Sequence, residues 1–129
     1  MAASYTVTKL TEVEDSAPKF GFGELQEARF AKEALGSPNI GVSLMRVKPD
    51  KRQGFAHKHD QAEEVYVVVS GSGRVKLDDE IVELERLDAL RVEPSVTRQF
   101  EAGSEGLELL AFGPRHDRDG EIFPGWWSE

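Results

Sequence analysis

From Ile40 onward, apolar and polar positions alternate in short runs. Ile40, Val42 and Leu44 alternate with Gly41, Ser43 and Met45, a period of two that predicts a strand, and Pro49 with Asp50 breaks it. Val65, Tyr66, Val67, Val68 and Val69 form a run too short and too β-branched for a helix. Ser70, Gly71, Ser72 and Gly73 follow, and the two glycines are expected to serve a tight turn, because glycine tolerates positive φ. Residues 74–77 and 81–84 alternate around Asp78, Asp79 and Glu80, a predicted hairpin. Residues 87–92, 97–101 and 107–112 complete the series, split by Pro94 with Ser95 and by the glycines at 103 and 106. Short strands parted by turn residues at this spacing argue for an all-β sandwich or barrel, and nothing resembles a βαβ rhythm.

The flanks read differently. Residues 6–10 suit a short edge strand and residues 12–18 a loop. Residues 25–35 have the best helical composition in the chain and stop at Gly36, with Pro38 just beyond. Phe30 and Leu35 leave that helix a patchy apolar face, so it is expected to be a short arm. After Gly113 the chain is polar until Phe123, and Trp126 and Trp127 follow. Two large rings are costly to leave in water, so the tail is expected to dock on the barrel, at its mouth or on a second subunit. The chain therefore reads as one domain: an N-terminal arm (1–39), a β-barrel core (40–113) and a C-terminal tail (114–129).

Composition narrows the partners. At 129 residues the chain can bury a core without a staple, and it has no cysteine, which excludes thiolate chemistry and suits a reducing cytoplasm. The net charge of -8 gives nucleic acid and anionic membranes no electrostatic footing. No basic stretch with an apolar run opens the chain and no apolar segment is long enough to span a bilayer, so neither a secretory leader nor a membrane anchor is expected. A small molecule, a cation or a second copy of the chain remains as partner.

The chemistry gathers at two of the three histidines. His57 and His59 are two positions apart, so an extended strand aims both imidazoles at one face. A short turn then brings Glu64 in on the next segment. Two neutral imidazoles and a carboxylate form a good set of ligands for a divalent transition metal such as zinc, iron, manganese or nickel. Tyr66 shares the parity of Glu64 and reads either as a pocket residue or as a core aromatic. Glu63 faces the other way, towards solvent or as a hydrogen-bond partner. His116 lies in a charged run that reads as a solvated turn, not as a further ligand.

The run from Gly54 through His57, His59 and Glu64 to Gly71 resembles the first motif of the cupin family. The spacings from His59 to Glu64 and on to Gly71 match, whereas the spacing from the leading glycine is shorter. The resemblance covers residues 40–113 and implies a jelly roll, or double-stranded β-helix, with His57, His59 and Glu64 as metal ligands. It also implies a homodimer formed through strands of the jelly roll. Aligned on Leu87 and Asp88, the second cupin motif places Arg98 where the family has a third histidine, and Ala102 where it has an asparagine. A guanidinium has donors only and a permanent charge, so it cannot ligate. Phe100 shares the parity of Arg98 and is expected in the pocket wall.

Three readings of this departure stay open. A three-ligand metal site persists, with Arg98 clamping a substrate anion beside it. Alternatively, Arg98 pairs with Glu64 and opposes a cation, since like charges at about 4 Å repel by roughly 4 kcal/mol at an effective dielectric of about 20. Finally, the histidines are ordinary polar residues in the barrel mouth. The leading expectation is a small cupin that binds a small, anionic molecule through a divalent metal. By family analogy an enzyme of this kind would be an oxygenase or isomerase of a small organic acid. The rivals are a metal-free binding or sensing module that reads its ligand through Arg98, and a purely structural dimerisation domain.

Overall fold

A computed structural model describes residues 4–128. Its strands are β1 (Gln26–Phe30), β2 (Gly41–Val47), β3 (Phe55–His59), β4 (Glu64–Leu77), β5 (Glu80–Leu84), β6 (Ala89–Val92), β7 (Arg98–Gly113) and β8 (Gly120–Pro124). They form one curled antiparallel sheet in the order β1-β2-β7-β3-β8, with β4 bridging β5, β6 and β7. Residues 78 and 79 make the expected hairpin loop, Leu77 facing Glu80 across it.

Two long strands organise the barrel. β4 and β7 each run through both of its halves, against each other, with register shifts between Val68 and Ser70 and between Gly71 and Gly73. The turn expected at Gly71 and Gly73 is therefore a bulged crossing, and the break expected at residues 103–106 is continuous strand. The glycines are needed for approach: a Cβ on either Gly71 or Gly73 would meet a carbonyl oxygen of β7 at 2.0 Å. Gly71 also has φ +76°, which side chains of L-residues disfavour.

Residues 25–35 depart from their helical composition. Only Lys32–Leu35 form a helical turn, α1, and it stops at Gly36 in the left-handed conformation as expected. The preceding residues become β1 because pairing with β2 buries Gln26 and Ala28, whereas a helix would have only a patchy apolar face to bury. Gln26 Oε1 also accepts the Gly54 N–H at 2.7 Å. The outer edge of β1 is closed by the preceding loop: Ala28 N–H donates to Asp15 Oδ1 at 2.9 Å and Ser16 N–H to the Ala28 carbonyl at 2.8 Å. With that edge occupied, residues 6–9 form no strand, and Tyr5 and Val7 are exposed; a 3-10 turn follows at Leu10–Glu12.

Register fixes which residues face inward, because directly opposed residues share a face. On β2 the inward set is Gly41, Ser43, Met45 and Val47, opposite Gly113, Ala111, Leu109 and Leu107 of β7. The larger members of both strands join Tyr66, Val68, Val75, Leu84, Val92 and Phe100 in the core. The small members stand at one end and leave that end open. The tail continues the sheet: β8 pairs with β3 from Phe55 opposite Pro124 to His59 opposite Gly120. Trp127 is buried on the outside of the barrel beneath Arg52 and Arg74, whose guanidinium carbons lie 4.1 and 5.1 Å from its ring centre.

Candidate metal centre

β3 carries His57 and His59 on its inward face at the open end, with ring centres 5.1 Å apart and edge-on. Glu64 opens β4, and its Oε1 lies 3.3 Å from His57 Nε2 and 3.2 Å from His59 Nε2. All three ligand atoms fall within 4.8 Å of one another. Tyr66, two residues along the same face, donates its hydroxyl to the same Oε1 at 2.5 Å and packs on Phe100 with ring centres 4.8 Å apart. Tyr66 is thus both a core aromatic and a partner of the site.

Protonation follows from these neighbours. Burial pushes the Glu64 carboxyl up, but the His57 and His59 imidazoles and the Tyr66 hydroxyl outweigh it and hold the group well below the usual carboxylate range. Burial lowers the His57 imidazole; the Glu64 charge opposes the shift, and Arg98 and His59 add to it. Burial and the Glu64 charge push the Tyr66 phenol up, so it stays a donor. An ionised carboxylate beside a neutral imidazole is the state in which both bind metals.

Arg98 enters this cluster from β7, directly opposite His57. Its side chain is fully buried, with Nη1 4.0 Å from Glu64 Oε1 and Nη2 donating to the Glu93 carbonyl at 3.2 Å. Neither Nε nor Nη1 has a hydrogen-bond partner among the described residues. Glu63 faces away, as expected, within 3.4 Å of Arg91.

Above the cluster the barrel opens into a cavity of about 810 Å³, whose walls include His59, Glu64, Gly41, Ser43, Ala111 and Gly113. His116 stands exposed on its rim and is not part of the metal-ligating cluster. Tyr66, Arg98 and Phe100 are buried below it.

Asp119 is the site residue that sequence reasoning missed. It belongs to the charged run whose sequence reads as a solvated turn, yet it is buried. Its Oδ1 accepts the N–H groups of Asp60 (3.2 Å) and Gln61 (2.7 Å), and its Oδ2 accepts that of Ala62 (3.1 Å). Oδ2 also lies 3.1 Å from His59 Nδ1. Burial raises this carboxyl, but the three N–H donors and His59 hold it below the usual range. No local pattern announces a contact made across 60 residues.

The domain model described as the cupin domain matches residues 43–113, more than half of the chain. The chain belongs to the cupin family. An uncharacterised protein of Methanocaldococcus jannaschii is 32% identical over 79 residues; the match covers 59% of this cupin and 63% of that protein, so it leaves over a third of the relative unmatched. Among solved structures, a cupin protein from Bacteroides fragilis superposes with a TM-score of 0.71 at 23% identity, covering 91% of this chain and 89% of that one. An oxalate decarboxylase from Bacillus subtilis superposes with a TM-score of 0.75 at 19% identity, covering 93% of this chain and 33% of the other. At such identities the likeness concerns the jelly-roll fold.

The residues present fit a metal as three ligands. Two donors bound at about 2.1 Å in a tetrahedral arrangement stand ~3.4 Å apart, close to the separations of Glu64 Oε1 from the two Nε2 atoms. Among the described residues neither His59 Nδ1 nor His59 Nε2, both buried, has a hydrogen-bond partner, and a cation at the cluster would satisfy Nε2. Among the described residues no helix is long and apolar enough to cross a membrane.

Proposed function

We propose that this cupin binds a small organic anion at a divalent transition metal held by His57, His59 and Glu64, with Arg98 meeting the anionic group. The observation that carries the reading is the Arg98 guanidinium. It is fully buried, it faces the carboxylate of the cluster, and its Nε and Nη1 lack hydrogen-bond partners among the described residues. A buried cation without its bonds is expensive, and an anion shared between guanidinium and metal would complete both. When bound, the metal would supply Lewis acidity, polarising an oxygen of the ligand. The chain itself keeps Glu64 ionised through Tyr66 and the imidazoles and shields the cluster at the base of the cavity. If the protein is an enzyme, oxygenation or isomerisation of a small organic acid fits this arrangement. A homodimer in the cytoplasm is the accompanying proposal, from the family resemblance and the absence of cysteine.

One observation favours a second reading. Nη1 stands 4.0 Å from Glu64 Oε1, where its charge opposes a cation and partly occupies the carboxylate. The barrel would then be a metal-free module that binds its anion through Arg98. Elemental analysis of untagged protein purified without chelators, beside Arg98→His, separates the two. About one equivalent of transition metal in the unaltered protein supports the metal site. Metal in the variant alone means that Arg98 excludes it and favours the metal-free module.

A further inference from the structure

We propose that the mouth of the cavity is a phosphate subsite, in which Arg115, Arg118 and Lys32 receive a phosphate monoester at the far end of an organic acid whose carboxylate reaches Arg98. The inference rests on the reading of the cavity base as an anion site, and it extends the ligand from a small organic acid to a phosphorylated one.

The cavity is larger than a small acid needs. Sites of about 810 Å³ hold drug-sized molecules, so a short acid at the base leaves the outer part empty. Charge at the mouth runs against that of the chain, whose net charge is -8. Glu14 is taken up by Lys19 at 2.6 Å, and Asp119 by the N–H groups of Asp60, Gln61 and Ala62. Glu33 then stands against Lys32, Arg115 and Arg118, which leaves two positive charges in excess. A phosphate monoester carries about 1.5 to 2 negative charges at pH 7 and matches that excess, whereas a carboxylate carries one.

The fold holds these cations in place. β7 ends at Gly113 opposite Gly41, and β8 begins at Gly120 opposite His59, so residues 114–119 run from the β2 side of the mouth to the β3 side. The bonds to Asp119 pin the far end of that run. Arg118, just before it, has φ +55°, a left-handed conformation that costs a residue with a side chain and is often kept for function. Lys32 lays its stem against Gly41, where a Cβ would come within 3.7 Å of its Cδ. Arg115 and Arg118 are exposed and make no hydrogen bond or ion pair among the described residues. Two free guanidinium groups offer forked donors to phosphate oxygens, in a cleft whose walls concentrate their field.

The test is an NMR titration of the full chain, purified without chelators, with glycerate, malate and 3-phosphoglycerate. All three share a hydroxy-acid end and differ at the other, which carries a hydroxyl, a carboxylate or a phosphate. The comparison is Arg115→Gln combined with Arg118→Asn, since asparagine tolerates the left-handed backbone. The unaltered protein is expected to bind 3-phosphoglycerate about 10-fold more tightly than malate or glycerate, with shifts of the backbone amides of residues 115–119. The double variant is expected to bind all three alike, with the glycerate affinity of the unaltered protein. Equal affinity for 3-phosphoglycerate and glycerate, or a preference that the double variant retains, overturns the inference and leaves the anion site at the base standing. Malate bound as tightly as 3-phosphoglycerate overturns the assignment to phosphate. If none of the three binds the unaltered protein, the base fails as an anion site and the subsite falls with it. Should the double variant not fold, 3-phosphoglycerate that shifts no amide among residues 115–119 of the unaltered protein still overturns the inference.

Discussion

Glu64 Oε1 has four polar neighbours on four different side chains: the Nε2 atoms of His57 and His59, the Tyr66 hydroxyl and Arg98 Nη1. Only the hydroxyl is a short, charge-assisted bond, and it belongs to a ring packed on Phe100. Tyr66→Phe keeps that packing and removes the donor alone. The expected loss is about 1–3 kcal/mol in urea unfolding at neutral pH, and an unchanged midpoint would show that the bond contributes nothing. His57, His59 and Glu64 were legible in the sequence because their convergence needs only strand parity and one short turn. Tyr66 read either as a pocket residue or as a core aromatic, and its bond to Glu64 was not legible. Asp119 was not legible, since its partners lie some sixty residues back, beside β8 on β3 and the turn after it, and its neighbours Arg118 and Asp117 are solvated. Burial of a charge inside a charged run leaves no mark on the pattern.

The elements show where local pattern stops being informative. Alternation located the strands of the core, yet it marked Gly71 and Gly73 as a turn. What sets them is the facing strand, whose carbonyls at Glu101 and Gly106 occupy the space a Cβ would need. Gly71→Ala is expected to destabilise the protein by about 2–4 kcal/mol, adding a left-handed backbone to an overpacked contact. A loss below 1 kcal/mol in chemical denaturation would mean that the crossing relaxes freely. Residues 26–30 teach the converse. Their helical propensity, worth tenths of a kcal/mol per residue, yields to an edge of β2 that otherwise stays unpaired. Propensity is local, and the edge is supplied by a strand some fifteen residues further on.

At the scale of the molecule, loop, barrel and tail are tied at one point. Glu101 of β7 accepts from Arg52 at 2.6 Å and from Arg74 at 2.9 and 2.7 Å, and Arg52 donates to the Trp127 carbonyl at 2.8 Å. Partial burial raises the Glu101 carboxyl, but the two guanidinium groups outweigh it and lower the group below its ordinary value. A depressed carboxylate adds stability that is fully present above the unfolded value of about 4.3 and is lost as pH falls through the lower folded value. Glu101→Gln should therefore lower the melting temperature at pH 7 and flatten its decline below about pH 4.5; parallel curves for the two proteins would refute the assignment. Trp127→Ala removes the ring from under both arginines and is expected to cost about 3–5 kcal/mol, read by thermal or urea unfolding. Stability and open space are meanwhile kept at different heights of the same strands. Val47, Leu107 and Leu109 fill the barrel, whereas Ser43 borders empty volume. Substitutions at that position reshape the cavity while the packed layers below stay as they are. Natural drift in ligand preference can then proceed without passing through an unfolded ancestor, and a screen for thermostability would be blind to it.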